Sequence, residues 1–229
     1  MKRTLPCFLA CLVVIVLSLP AWGGDKEKDD ETIKNATAVL QEMLNSNAVP
    51  ASLLAKADCV IVLPNVKKFG IGIGGSGGRG PMSCRTGKKF DGKWSAPAMF
   101  KIGGVSAGLQ LGGSSSDFVL LVMSEKGVNA ILDHKTKLGS DATAAAGPSG
   151  ATASSVANAD VLTYGRAKGL FAGVSLGGAS LEADNDANKR MYGKQLGARD
   201  IVLGNAVQTP AADQGLITLL DSKAGKRSN

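Results

Sequence analysis

The sequence predicts an α+β domain: a curved, largely antiparallel β-sheet or barrel-like core of Gly-rich strands, with helices packed at the N-terminus, in the middle and at the C-terminus. Three observations predict it. One pattern recurs, as Gly70-Ile-Gly-Ile-Gly-Gly-Ser-Gly77, Gly108-Leu-Gln-Leu-Gly-Gly-Ser-Ser115 and Gly173-Val-Ser-Leu-Gly-Gly-Ala-Ser180, alternating aliphatic with small residues as a strand does. Strand-like runs concentrate between residues 58 and 184, and their connections are mostly too short for crossover helices. Apolar residues at helical spacing occur near both ends and once between.

The chain opens Met1-Lys2-Arg3, runs apolar from Leu5 to Leu19 and then reads Pro20-Ala21-Trp22-Gly23. Two charges, a short apolar core and a small-residue end describe a signal peptide over residues 1–23. That core falls short of the roughly 20 residues a spanning helix needs, so a signal anchor is the lesser reading. Lipoprotein processing at Cys11 is rejected, because the apolar core continues past it. Residues 24–30 read as a charged, flexible segment, residues 31–222 as one domain and residues 223–229 as a basic tail.

Within the domain, Ile33, Ala36, Leu40, Met43 and Leu44 set a helix over residues 31–45, with Asp30 able to cap it. Its apolar stripe suits a core better than a bilayer, because the polar face mixes Lys34 with Glu31 and Glu42. A short helix over 51–57 follows, with Pro50 in its first turn. Cys59-Val-Ile-Val-Leu63 is a buried strand ended by Pro64-Asn65. Residues 79–86 resume a strand, and Gly87 to Trp94 form a polar hairpin end. Asp117 to Met123 is another buried strand, and Ser124 caps a helix carrying Val128, Ile131 and Leu132. Residues 138–158 are small and turn-rich, read as strands because a structureless loop of that length is improbable. Strands over 160–164 and 170–176 precede a helix capped at Asn185 or Asp186 and stopped by Gly193. Thr209-Pro210 opens a C-terminal helix with Leu216, Leu219 and Leu220 inward.

The formal charge of +7 becomes +5 once Lys2 and Arg3 leave with the leader (24 basic against 19 acidic residues), a balance that favours anionic surfaces. Export and the scarcity of aromatic residues argue against nucleic acid. Lys67, Lys68, Arg79, Arg85, Lys88, Lys89 and Lys93 fall around the first glycine repeat, a candidate rim for lipid headgroups, since clustered cations are attracted to an anionic leaflet; a solvated hairpin rim is the alternative. The bare glycine faces fit helices packed closely on the sheet, or a shallow groove for an acyl chain. Cys59 and Cys84 could pair in an exported protein, which would stabilise by roughly 3 kcal/mol; both readings stay open.

Catalysis finds little support. Gly72 to Gly77 fits G-x-G-x-x-G, but Gly78-Arg79-Gly80-Pro81 follows where a dinucleotide site needs a helix. His134, the only histidine, lies beside Asp133 with no serine in an elbow context. Cys59, Cys84 and His134 lack chelating spacing, so neither a metal nor any other cofactor is expected.

Several blocks resemble the SYLF domain family. They are Leu63-Pro-Asn-Val-Lys-Lys-Phe-Gly70, Trp94-Ser-Ala-Pro-Ala98, Gly113-Ser-Ser-Ser-Asp-Phe-Val119, Leu138-Gly-Ser-Asp141, Ala145-Ala-Gly-Pro148, Lys168 to Gly177 and Asn188 to Lys194. The resemblance runs from about Asn35 to Lys194 and implies lipid binding. Eukaryotic members are described as membrane-associated modules recognising phosphoinositides, one branch also engaging actin; bacterial members are exported. Those two ligands do not carry over to an exported protein. The family's membrane-inserting helix precedes the domain, where this chain has its leader and a mixed-charge segment. The expectation is therefore an exported protein of the periplasm or cell envelope, or secreted, that binds anionic phospholipid or a membrane surface. A structural or protein-interaction module of the envelope is the alternative.

Overall fold

The structure, a computed structural model, describes residues 22–71, 73–107, 112–133, 135–139, 144–146, 159–167, 170–171, 176 and 178–224. Residues 1–21 of the expected leader with Cys11, His134, residues 147–158, the tail beyond Ala224 and much of the third repeat lie outside them. Helices α1 (Trp22–Asn45) and α2 (Ala51–Leu54) come first. Strands β1 (Cys59–Ile71), β2 (Ile73–Cys84), β3 (Ala98–Ala107) and β4 (Gly112–Val122) follow, then α3 (Glu125–Asp133). Short strands β5 (Thr136–Lys137) and β6 (Ala144–Ala146) lead to β7 (Val161–Ala167), β8 (Leu170–Phe171) and β9 (Ser180–Ala183). The chain then turns helical, with α4 (Asn185–Tyr192), α5 (Ala198–Val202), a 3-10 turn (Ala211–Asp213) and α6 (Gln214–Ala224).

These strands form one curled sheet in the order β5-β9-β3-β2-β1-β4-β7-β6, with β8 paired to β7. Every described pairing is antiparallel except β6 with β7. Its centre, β4-β1-β2-β3, has the spatial order of a Greek key. The α+β class and its helix placement are as the sequence predicts.

The central strands are apolar on both faces at one end, and helices cover each face. On one face Cys59, Ile61 and Leu63 of β1 join Phe100, Phe118 and Leu120 beneath α3 and α5. On the other, Val60 and Val62 join Met99 and Val119 beneath α1, α4 and α6. The stripe of α1 is fully buried there at Ile33, Ala36, Leu40 and Met43. Each large side chain so buried contributes about 1.5–3 kcal/mol. Leu216, Leu219 and Leu220 of α6 point inward as the spacing predicts. Cys59 and Cys84 face each other in register at this end and are disulfide-bonded.

Three elements differ from the sequence reading. Helix α1 begins at Trp22, not at Glu31, so the segment expected to be flexible is helical. The cause is long-range: Asp29 is fully buried, accepting from Arg190 Nε at 2.7 Å and meeting Arg79 at 2.8 Å. Next, β1 does not end at Pro64-Asn65 but passes through an irregularity between Leu63 and Val66. Asn65 takes a left-handed φ of 54°, its N–H donates to Asp117 at 2.9 Å, and its side-chain oxygen accepts from the Ser115 hydroxyl. Finally, α5 has no counterpart among the predicted helices. Of the predicted caps, Gly193 stops α4 at a left-handed φ of 69°, but the N-cap is Asp184, accepting from Ala187 N–H at 3.1 Å.

Candidate functional site

Beyond the bulge the sheet changes character. From Lys67 onward β1 pairs with Gly74, Gly75, Ser76 and Gly77 of β2 on one side and with Gly112 to Ser115 of β4 on the other. A Cβ built at Gly77, Gly103 or Gly113 would come no nearer than 3.8 Å to any atom, so nothing is packed over these positions. Gly80, back in the covered half, is the opposite: a Cβ there would lie 1.9 Å from the Val62 carbonyl oxygen. The atom that excludes a side chain at Gly80 thus belongs to the neighbouring strand β1 and not to a helix, while Gly77, Gly103 and Gly113 have no such close neighbour. At the outer end Phe69 stands 66% exposed, the one large exposed hydrophobe among the described residues, with its ring over Gly75.

A cleft of about 330 Å³ opens between α1 and this ribbon, lined by Thr32, Asn35, Pro64, Asn65, Lys67, Gly77, Gly78 and Arg79. Lys67 and Gly77 are register partners, so the missing side chain at Gly77 leaves room beside the lysine. Arg79 is committed elsewhere in part, to Asp29 and, at 3.9 Å, to Asp184. Arg190 completes that cluster, and its hydrogen bond to Asp29 raises its pKa. The cleft is thus a polar notch with one exposed lysine and one half-engaged arginine. It is not an enclosed acyl-chain cavity.

The seven predicted cations do not form one rim. Lys67, Lys68 and Arg79 lie on the outer half of the ribbon, whereas Lys88, Lys89 and Lys93 lie past Cys84, at its other end. Lys67 is eight residues along β1 from Cys59, or about 26 Å at roughly 3.3 Å per residue. The two groups are further apart than the ~8 Å screening length of physiological salt, so they act separately.

Arg85 is not a surface residue at all. It is 1% exposed and stacks over the Trp94 ring at 4.6 Å. Its guanidinium donates to the carbonyls of Gly92 at 3.4 Å, Ala55 at 3.5 Å and Ala224 at 3.2 Å. A lipid headgroup cannot reach it; its place is to tie the ends of α2 and α6 to the 86–93 hairpin. The sequence reading counted Arg85 by charge alone. Its pairing with Trp94 is a contact of the fold that spacing in the sequence does not show.

Phe69, Asp29 and Arg190 escaped the sequence reading, because exposure and long-range ion pairing leave no local pattern. Asp213 is a fourth. It is 1% exposed with neither carboxylate oxygen hydrogen-bonded, and burial pushes its pKa up to about 7, with nearby Asp30 adding to the rise. Among the described residues no group of His, Cys, Asp or Glu is placed to hold a metal ion, and no helix is long and apolar enough to cross a membrane.

Comparison with known proteins adds a family to this geometry. The family model described as "Ysc84: Las17-binding protein actin regulator" matches residues 103–223. Protein YSC84 of Saccharomyces cerevisiae is 33% identical over 205 residues, covering 83% of this chain and 43% of its own length. The human SH3 domain-containing YSC84-like protein 1 is 31% identical over 211 residues, covering 90% of this chain and 60% of its own. An SH3 domain-containing protein of Schizosaccharomyces pombe is 35% identical over 182 residues, or 76% of this chain and 41% of its own. The chain spans about half the length of such relatives.

Proposed function

This chain belongs to the Ysc84 (SYLF) domain family, and from that premise we propose that it is an exported binding module that docks on anionic lipid surfaces through the outer end of its β1–β2 ribbon. The observation that carries the reading is Phe69. A large apolar side chain standing in water beside Lys67 and Lys68, opposite the Gly74-Gly75-Ser76-Gly77-Gly78 run of β2, combines an apolar body with flanking cations and fits an interface with headgroups and apolar chains together. Each lysine near an anionic leaflet gains about 1 kcal/mol, and burying Phe69 adds roughly 2 kcal/mol. Lys67 reaches the cleft, where a phosphate could sit between it and Arg79. In this reading residues 1–23 are a leader and the site of action is the periplasm or cell envelope. The Cys59–Cys84 bond supports export, because such bonds persist in oxidising compartments.

Flotation with phosphatidylglycerol-containing vesicles tests it. The wild type should float and should be released by salt, while Lys67→Glu, Lys68→Glu and Phe69→Ser combined should stay at the bottom of the gradient. Equal flotation of both would sink the proposal. A second reading, a protein-interaction module, is favoured by the matched family's description as a Las17-binding actin regulator. Flotation indifferent to lipid charge and to these residues would favour that reading.

A further inference from the structure

The end of the ribbon away from Phe69 carries its own cationic group, and Arg85 assembles it. Each of the three carbonyls bonded by its guanidinium belongs to a residue adjacent to a lysine: Ala55 beside Lys56, Gly92 beside Lys93, and Ala224 beside Lys223. Lys56, Lys93 and Lys223 are all exposed and come from three separate elements, whose backbones one buried guanidinium ties together at the residues next to them. Lys88 and Lys89 lie exposed in the same hairpin, whose base is closed by Thr86 N–H donating to the Lys93 carbonyl at 2.9 Å. Asp91 and Asp221 are the exposed acids of these elements, leaving lysine in excess.

We propose that this second cationic end makes the protein a bridge between two anionic bilayers, one held at the Phe69 end and the other at the Lys56–Lys93–Lys223 end. The inference rests on the docking reading above and adds a second, opposite surface to it. Three points carry it. The two groups sit at opposite ends of one strand pair, Lys67 about 26 Å along β1 from Cys59, so a surface met end-on at the Phe69 end leaves the other group facing away from it. Their separation exceeds the screening length, so occupation of one end leaves the other available. The second end is held by a buried guanidinium and by the neighbouring disulfide, giving a fixed presentation.

Vesicles of equal parts phosphatidylglycerol and phosphatidylcholine, in donor-labelled and acceptor-labelled populations, provide the test. Full-length mature protein should raise turbidity and energy transfer between the populations, reversibly on adding salt. The combined Lys88→Glu, Lys93→Glu and Lys223→Glu variant should still float with vesicles but return both signals to the level of vesicles alone. Flotation of the wild type without clustering overturns the bridge while leaving the docking reading intact. Clustering by the charge-reversed variant at wild-type level also overturns it, assigning bridging to self-association. Failure of the wild type to float removes the docking reading, and the bridge with it.

Discussion

The two halves of the β1–β2 ribbon share strands, hydrogen-bond ladders and pairing partners, yet they are built on opposite principles. From Cys59 to Leu63 both faces are apolar and covered, a disulfide closes the end, and Gly80 is present because a carbonyl occupies the space of its side chain. Beyond Val66 the β2 positions 74–79 are only half-buried, Gly77 has no atom near enough to exclude a side chain, and Phe69 stands in solvent. Backbone pairing alone therefore does not say what a strand is for. In the covered half the side chains hold the fold; in the bare half the ladder carries a surface.

The largest expected effect that sharpens this contrast comes from Arg85→Ala. It frees three carbonyls at the covered end and removes the partner of Trp94, and should cost about 3–4 kcal/mol in urea unfolding. Replacing Cys59 and Cys84 together by alanine should cost about 3 kcal/mol, and reductant should lower the wild-type midpoint in the same direction.

Asp213 is the weak point of the covered half. Its folded pKa, about 7, lies above the ordinary 3.8, so the folded state binds more protons in between. The contribution of Asp213 to stability is then greatest below that window, falls as pH rises through it and levels off above it. Asp213→Asn should flatten this slope and raise stability at pH 8 by about 2 kcal/mol, read from unfolding midpoints across pH. The glycine pair spans a similar effect and a near-zero one. Gly80→Ala should cost about 2 kcal/mol, whereas Gly77→Ala should stay within about 0.5 kcal/mol of wild type. Equal costs at the two positions would break the comparison between the halves.

What could be read in the sequence follows the same division. Periodicity exposed the covered half, because Ile33, Ala36, Leu40 and Met43, or Cys59 to Leu63, carry their burial in their spacing. The polar hairpin and the Gly193 cap were also legible, since turn chemistry is local. Pro64-Asn65 misled because the bulge is held by Asp117 and Ser115, about fifty positions away, and no local rule contains them. The start of α1 depends on Arg79 and Arg190 in the same way. The short α5 offers too few residues for a period to show. For the candidate site, the basic composition was visible but its division into two ends was not, because charge in a sequence has no direction until the strands run antiparallel.

The claim that the bare half is the membrane-facing half can be tested at Phe69 itself. Phe69→Trp places a reporter at the outer end of the ribbon, against the buried Trp94 as internal reference. With phosphatidylglycerol vesicles carrying brominated acyl chains, the added emission should shift to the blue and be quenched. Emission that keeps its aqueous wavelength and escapes quenching while the protein floats with the vesicles would contradict it.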